Sequence, residues 1–417
     1  MGYALGLAFG ALVLVAVPIG IALGLGSIFG LQFFSEIPLD IAAQRLASGL
    51  RNFPLLAIPL YIVAGALMNS SGITQRLVDF AYALVGHMRG GLSLVTIVTT
   101  AIFGGISGSQ IADTSSVGRL MIPQMVARGY KPAHAVAVMA TAGSMFVTIP
   151  PSISLIVFGV LAETSISDLF FWGLLVGIAF VVLMLVMAYA IAFITDQPKG
   201  RRMPFRQLLV ASRQAIWSLM IPVVILGGIR LGIFTATEGG AVAVAVAIVI
   251  GFFIHKELTL KKMVHSLVES GVLVGVIMLV IAAAQMYSWA LVMGQIPQTL
   301  TFWIQGLTEN PFLILLLINL LLLLIGTVME ANSALIVFVP ILLPITTAIG
   351  IDPVHFGLVF VVNLGLGLLT PPVGMCLQIS CKIGNITLSQ AIPAMVPWFI
   401  TCLVFLAGVT YLPLLMG

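Results

Sequence analysis

What this sequence has least of is charge. Asp, Glu, Lys and Arg make up 7% of its 417 residues, where a soluble domain carries about 25%, and the mean hydropathy is +1.22. Hydrocarbon rather than water is therefore the solvent for most of the chain. Cysteine is almost as scarce. Cys376, Cys381 and Cys402 sit in apolar context with no metal-ligand or redox spacing, which leaves no disulfide framework and no thiolate metal site. A Walker A loop, a nucleophile elbow and an HExxH pair are all missing, so ATP hydrolysis and the common hydrolase chemistries have no residues to run on. No enzyme activity and no cofactor are expected. The basic residues lack the density and interleaved aromatics of a nucleic-acid surface; the expected macroscopic partner is a lipid bilayer.

What is there is long apolar runs. The opening "MGYALGLAFGALVLVAVPIGIALGLGSIFG" has no charge and no basic n-region, and reads as a retained transmembrane helix rather than a signal peptide. Spans are expected near 3–33, 53–70, 132–160, 169–194, 215–234, 238–254, 268–293, 353–380 and 388–414, with no stretch outside them long enough for a soluble domain. Two segments, 91–127 and 312–346, are too long for one crossing and too broken for two, and are expected as re-entrant hairpins. The N-terminus then lies in the cytoplasm and the C-terminus outside. Of the 17 Lys and Arg, all but Arg45, Arg51 and Arg230 fall on the cytoplasmic side, as the positive-inside bias requires. Residues 39–52 are amphipathic and are expected along the interface.

The chain repeats itself. Laid over 342–372 without a gap, 121–151 matches Pro123 to Pro344, Pro132 to Pro353, Pro150 to Pro371 and Pro151 to Pro372, with Gly129 on Gly350 and His134 on His355, every pair 221 apart. With Pro at about 5% of residues, four such matches have a chance on the order of 10⁻⁵ per offset. The expected organisation is a first repeat over 1–194, a basic segment and linker span over 195–237, and a second repeat over 238–417, inverted by the linker span. Inverted repeats with interrupted helices are a mark of secondary transporters, whose substrate and ion sites lie where the copies meet.

Each repeat carries two breaks: "GGISGSQIAD" (104–113) and "TAGSMFVTIPPS" (141–152) in the first, "GTVMEANSA" (326–334) and "NLGLGLLTPPVG" (363–374) in the second. Broken backbone at membrane depth is tolerated only where protein or a wet cavity satisfies it. Unwound carbonyls with hydroxyls suit a hard cation such as Na⁺, and half-helix N-termini suit an anion. Glu330, at the second hairpin tip, is a functional candidate by default as an intramembrane carboxylate; it either binds a cation, carries a proton, bonds a hydroxyl, or caps the hairpin. Asp113 and Arg119 are expected to pair with each other. His134 and His355 are expected to serve helix packing near the membrane boundary.

These blocks, with "GALMNSSGIT" (65–74), "GIFTATEGGAVA" (232–243), "GTVMEANSALIVFVPILLPI" (326–345) and "LGLGLLTPPVGM" (364–375), resemble the large membrane subunit of tripartite ATP-independent periplasmic (TRAP) transporters over nearly the whole chain. The resemblance implies an all-α polytopic, elevator-type transporter in which two hairpins and two broken helices form a moving domain. It implies Na⁺-coupled import of organic anions delivered by a periplasmic binding protein across the bacterial or archaeal inner membrane, with a small four-helix membrane subunit. No span is left over for that subunit, so a separate chain is expected. Carried over by position, one Na⁺ site would use Gly105, Ser107, Ser144 and Val147, and the other Gly326, Glu330, Gly365 and Thr370. Ser107, Ser109, Ser154 and Glu330 would face substrate. The sequence departs from the family pattern at Glu330, where Asp is usual, and at "TATE" (235–238). A stand-alone ion-coupled anion transporter and a channel are the competing readings.

Overall fold

A computed structural model describes residues 2–15, 17–200, 203–308 and 310–416; Arg201 and Arg202 of the basic segment lie outside the described residues. The expected single helix at 3–33 is instead two, α1 (Gly2–Leu14) and α2 (Ile19–Phe34), and they run antiparallel. A Cβ added at Gly30 would lie 2.4 Å from Leu5, and one at Gly26 would lie 3.4 Å from the backbone nitrogen of Phe9. Pro18, extended at φ −53° and ψ 134°, starts α2. Proline removes a donor and clashes with the preceding turn, while apolar residues on both sides hide the reversal from hydropathy.

The chain continues through α3 (Leu39–Ser48), a 3₁₀ turn at Phe53–Leu56, α4 (Ala57–Ser70) and α5 (Ile73–Val85). α3 covers the expected amphipathic segment, and its Arg45 guanidinium sits 5.2 Å from the Trp289 ring centre. α6 (Gly91–Ser107) and α7 (Gln110–Ala127) form the first hairpin. The first broken helix is α8 (Pro132–Met145), a 3₁₀ turn at Phe146–Thr148 and α9 (Ile153–Leu161), and α10 (Ile166–Ile194) closes the repeat. α11 (Phe205–Arg230) links to α12 (Ala236–Val249), which runs into a π turn at Ile250–Ile254, then α13 (Leu260–Met293) and α14 (Ile296–Leu307). The second hairpin is α15 (Pro311–Gly326) with α16 (Ala331–Ala348), the second broken helix α17 (Pro353–Gly367) with α18 (Met375–Gly384), and α19 (Leu388–Met416) ends the fold. No strand occurs among the described residues. Among the described residues, eight helical stretches are long and apolar enough, by length and composition, to cross a membrane.

The offset of 221 runs through the element order. α7 and α16 coincide at both ends under it, α8 and α17 at their starts, and α10 with α19 to within a residue. α2 matches α12, α3 plus α4 matches α13, and the amphipathic α5 matches α14. Packing follows the same exchange: α7 lies on α18 as α16 lies on α9, and α12 lies on α4 as α2 lies on α13. Five crossings, by α2, α4, α8–α9, α10 and α11, separate the start of α2 from that of α12. An odd number inverts the second copy.

Lipid tails supply no hydrophobic drive between helices, so small residues and polar side chains hold these surfaces together. Asn363 donates to Asn319 Oδ1 at 2.7 Å and Asn319 donates to the Thr410 hydroxyl at 3.1 Å, tying α17, α15 and α19. The equivalent histidines serve as expected. His134 Nε2 lies 3.0 Å from Ser93 Oγ, binding α8 to α6, and His355 Nε2 lies 2.9 Å from the Val409 carbonyl, binding α17 to α19.

The antiparallel α1–α2 pair puts residue 2 on the same face as α3, so the single crossing that set the N-terminus opposite α3 does not exist. Because the three native cysteines are buried, single cysteines at Tyr3 and Ser48 are expected to react with a membrane-impermeant maleimide from the same side of intact cells. Labelling from opposite sides would restore the single span.

Candidate functional site

The four breaks converge between the repeats. α6 ends at Ser107, Gly108 turns the chain at φ 61°, a conformation that disfavours any side chain, and the Ser109 hydroxyl caps α7 by accepting from the Ala112 N–H at 3.5 Å. Moved by 221, Ser109 becomes Glu330, and Glu330 does the same work at the start of α16. Its carboxylate accepts from the Ser333 N–H at 3.0 Å, the Ser333 hydroxyl at 3.3 Å and the Asn332 amide at 2.8 Å. Glu330 thus caps α16 and also bonds a hydroxyl, two of the roles the sequence left open, on a residue that is half-buried.

The broken helices unwind at Pro150–Pro151 and Pro371–Pro372, both cis peptides, and meet one residue from each copy at the centre. A Cβ on Gly365 would lie 2.9 Å from the Ser144 carbonyl oxygen, and Ser144 and Gly365 are repeat-equivalent. Only hydrogen at residue 365 allows that approach. The same carbonyl accepts from the buried Gln110 amide at 2.8 Å, so hairpin one satisfies a group that break one frees. Gly326 and Gly367 make a second close approach, with a Cβ on Gly326 falling 2.9 Å from the Gly367 Cα. The Thr327 carbonyl then receives the Val373 N–H at 3.2 Å.

Of the first expected ion set, Gly105 packs on break one, where a Cβ would lie 3.2 Å from the Pro150 carbonyl oxygen. Ser107 stands at the hairpin tip, Ser144 at the crossing with its hydroxyl on the Thr141 carbonyl at 3.2 Å, and Val147 is buried in the 3₁₀ turn. Of the second set, Gly326 and Gly365 line the glycine contacts, Glu330 caps α16, and the Thr370 hydroxyl donates to the Leu366 carbonyl at 3.0 Å. Ser154 is 2% exposed and donates to Asn332 Oδ1 at 3.0 Å. Break one and hairpin two are thereby joined directly through side chains.

Asp113 corrects the sequence reading. It pairs not with Arg119, which is exposed on the far side of α7, but with the Ser107 hydroxyl. Six residues apart on one helix, Asp113 and Arg119 never share a face, since neighbours recur at three and four. Asp113 is fully buried, and its Oδ2 has no hydrogen-bond partner. A Cβ on Gly104 would lie 3.2 Å from that oxygen and 3.2 Å from the Phe146 carbonyl oxygen. One hydroxyl does not offset the desolvation of a buried carboxylate, so the group requires a proton or a cation. Among the described residues no three His, Cys, Asp or Glu gather as a metal cluster. The donors present are single carboxylates, hydroxyls and carbonyls, an all-oxygen set that suits a hard cation rather than a soft, thiolate-seeking one.

Two outcomes follow from this geometry. Gln110→Ala leaves the buried Ser144 carbonyl without its donor and is expected to cost about 1–3 kcal/mol, seen as a lower unfolding temperature in detergent. Replacing choline by Na⁺ is expected to raise the unfolding temperature of the wild type, and Asp113→Asn to remove at least about half of that rise; an unchanged Na⁺ response would exclude Asp113 from cation binding.

Comparison with known proteins agrees with this architecture. The family model described as tripartite ATP-independent periplasmic transporter, DctM component, matches residues 7–415. The C4-dicarboxylate TRAP transporter large permease protein DctM of Pseudomonas aeruginosa is 37% identical over 392 residues, covering 94% of this chain and 92% of the relative. The sialic acid TRAP transporter large permease protein SiaM of Vibrio cholerae is 37% identical over 397 residues, covering 93% and 92%. Among solved structures, the YdaH transporter of Alcanivorax borkumensis shares the fold with a TM-score of 0.65 over 97% of both chains, at 14% identity. A chain matched almost end to end by that model and these permeases, folded as two inverted repeats around hairpins and broken helices, is a multi-pass membrane transport protein belonging to the large-permease (DctM) family of TRAP transporters.

Proposed function

We propose that this chain is the permease of a Na⁺-coupled importer of small organic anions, supplied by a periplasmic binding protein and assembled with a separate small four-helix membrane subunit. The observation that carries the proposal is the chemistry of the four breaks. Asp113 and Glu330 are the only charged residues in them, both are acidic, and the rest of the donors are hydroxyls and carbonyls. Such a place attracts cations, and an organic anion enters it only when cations come too. One Na⁺ at Gly105, Ser107, Ser144 and Val147, with Asp113 beside them, and another at Gly326, Glu330, Gly365 and Thr370, would offset the acidic charge. Ser107, Ser109, Ser154 and Glu330 would then meet the substrate.

Movement belongs to the hairpins and broken helices, which pack on one another more than on the α2, α4, α12 and α13 frame, and an elevator displacement of that body fits the division. The positive-inside bias puts α3 on the periplasmic face. With α1 and α2 antiparallel, both termini lie there. Each net positive charge carried inward across 100 mV releases about 2.3 kcal/mol, enough for coupled accumulation with two Na⁺ and a monoanion.

The test is uptake of labelled organic acids into proteoliposomes holding this chain and its small subunit. Uptake is expected to need both an inward Na⁺ gradient and the matching binding protein, and Glu330→Gln is expected to lower the initial rate at least about tenfold while the protein still purifies folded. Na⁺-driven uptake without a binding protein would mark a stand-alone transporter. Flux indifferent to Na⁺ would overturn the ion sites.

A further inference from the structure

We propose that a chamber walled by α5, α11 and the turn that follows α12 holds the headgroup of a phospholipid carrying both a phosphate and a primary ammonium, with an acyl chain in the groove that adjoins it.

The chamber measures about 650 Å³, and its walls include Arg76 and Asp79 of α5, Arg213, Gln214 and Trp217 of α11, and Glu257. A groove of about 340 Å³ lies beside it between α11 and α12, lined by apolar side chains such as Val224, Val246 and Val249. Trp217 and Ile254 belong to both walls, so the two spaces meet there. Arg76 and Arg213 lie on the side that the positive-inside bias gives to the cytoplasm. From that end the groove climbs α11 from residue 217 to 225 and α12 from 254 back to 242, into the depth of the membrane. A polar space at the interface that opens onto an apolar one along the helices has the form of an amphiphile, and Trp217 stands at the level where tryptophan meets headgroups.

Charge decides which headgroup. Arg76 is committed, to Glu257 at 2.7 Å and to the Gly72 carbonyl at 2.9 Å. Arg213 and Asp79 face the same chamber, and among the described residues neither makes an ion pair. Asp79 holds only the Gln75 amide, at 3.0 Å on Oδ1. The walls therefore offer an open cation and an open anion that do not meet each other. A phosphate for Arg213 and an ammonium for Asp79 occupy both. A headgroup with phosphate alone would add net negative charge to walls whose two carboxylates already match the two guanidinium groups. A quaternary ammonium has no N–H to give and forgoes the charge-assisted hydrogen bond to Asp79.

The experiment is native mass spectrometry of the purified full chain titrated with dioleoyl phosphatidylethanolamine, phosphatidylcholine and phosphatidylglycerol, and with soluble phosphoethanolamine. Phosphatidylethanolamine is expected to bind about tenfold more tightly than either other lipid, and phosphoethanolamine at least about tenfold more weakly than the lipid, because it leaves the groove empty. Asp79→Asn is expected to reduce the preference for ethanolamine over choline to about twofold or less. Arg213→Gln is expected to weaken both lipids at least about fivefold and leave their ratio in place, since both carry the phosphate. Both residues are exposed, so each variant without lipid is expected to keep the wild-type unfolding temperature. Phosphatidylglycerol or phosphatidylcholine binding as tightly as phosphatidylethanolamine would overturn the charge argument. Phosphoethanolamine binding as tightly as the lipid would make this a site for a soluble ligand and remove the groove from it. Lipid binding indifferent to both substitutions would place the lipid elsewhere, and binding lost on adding the small membrane subunit would give the groove to that protein; either result overturns the site.

Discussion

A peptide group freed by a helix break inside hydrocarbon has to find its partner within the protein, and the fold is arranged around that necessity. Break one frees the Ser144 carbonyl, and Gln110 of hairpin one takes it. Hairpin one exposes the Gly108 carbonyl at its tip, and the Ile153 N–H beyond break one approaches it at 3.4 Å. Hairpin two exposes the Thr327 carbonyl, and Val373 beyond break two answers it. The hairpin caps are repeat-equivalent, Ser109 in one copy and Glu330 in the other. Each broken element is therefore completed by another broken element, and the four must pack as one body.

The same arrangement explains why the two copies diverged at a few positions. Ser144 and Gly365 are equivalent and touch, so the near-symmetric crossing tolerates a side chain from one copy only. Asp113 has Ala334 as its equivalent, and Glu330 has Ser109. Each repeat thus brings one acid to the centre from a different place on its hairpin. Two acids among hydroxyls and carbonyls, with no base, form a region whose charge is set by what binds there.

Much of this was legible in the sequence. Four prolines at a constant separation gave the duplication, and the Gly- and Pro-rich interruptions located all four breaks. The hairpins stood out because their polar tips interrupt runs too long for one helix. The α1–α2 reversal did not, since Gly2–Leu14 and Ile19–Phe34 are equally apolar and only Pro18 marks the turn; the offset that aligns α2 with α12 was the unused signal. The role of Asp113 was missed because a nearby Arg119 offered a partner, although helical spacing denies it. The Ser154–Asn332 bond joins residues 178 apart, and no local pattern announces such a pairing. Nor did periodicity single out α5 and α14, whose equivalence emerges only once the repeat is extended backward from the hairpins.

The account's central claim is that cations bind where the repeats meet. Its most direct test is an experimental density map of the protein in NaCl and another in choline chloride, each fine enough to show ions. The account predicts two densities, one among Gly105, Ser107, Asp113, Ser144 and Val147 and one among Gly326, Glu330, Gly365 and Thr370, present in Na⁺ and lost in choline. Identical maps in the two salts, or sodium bound only elsewhere, would contradict it.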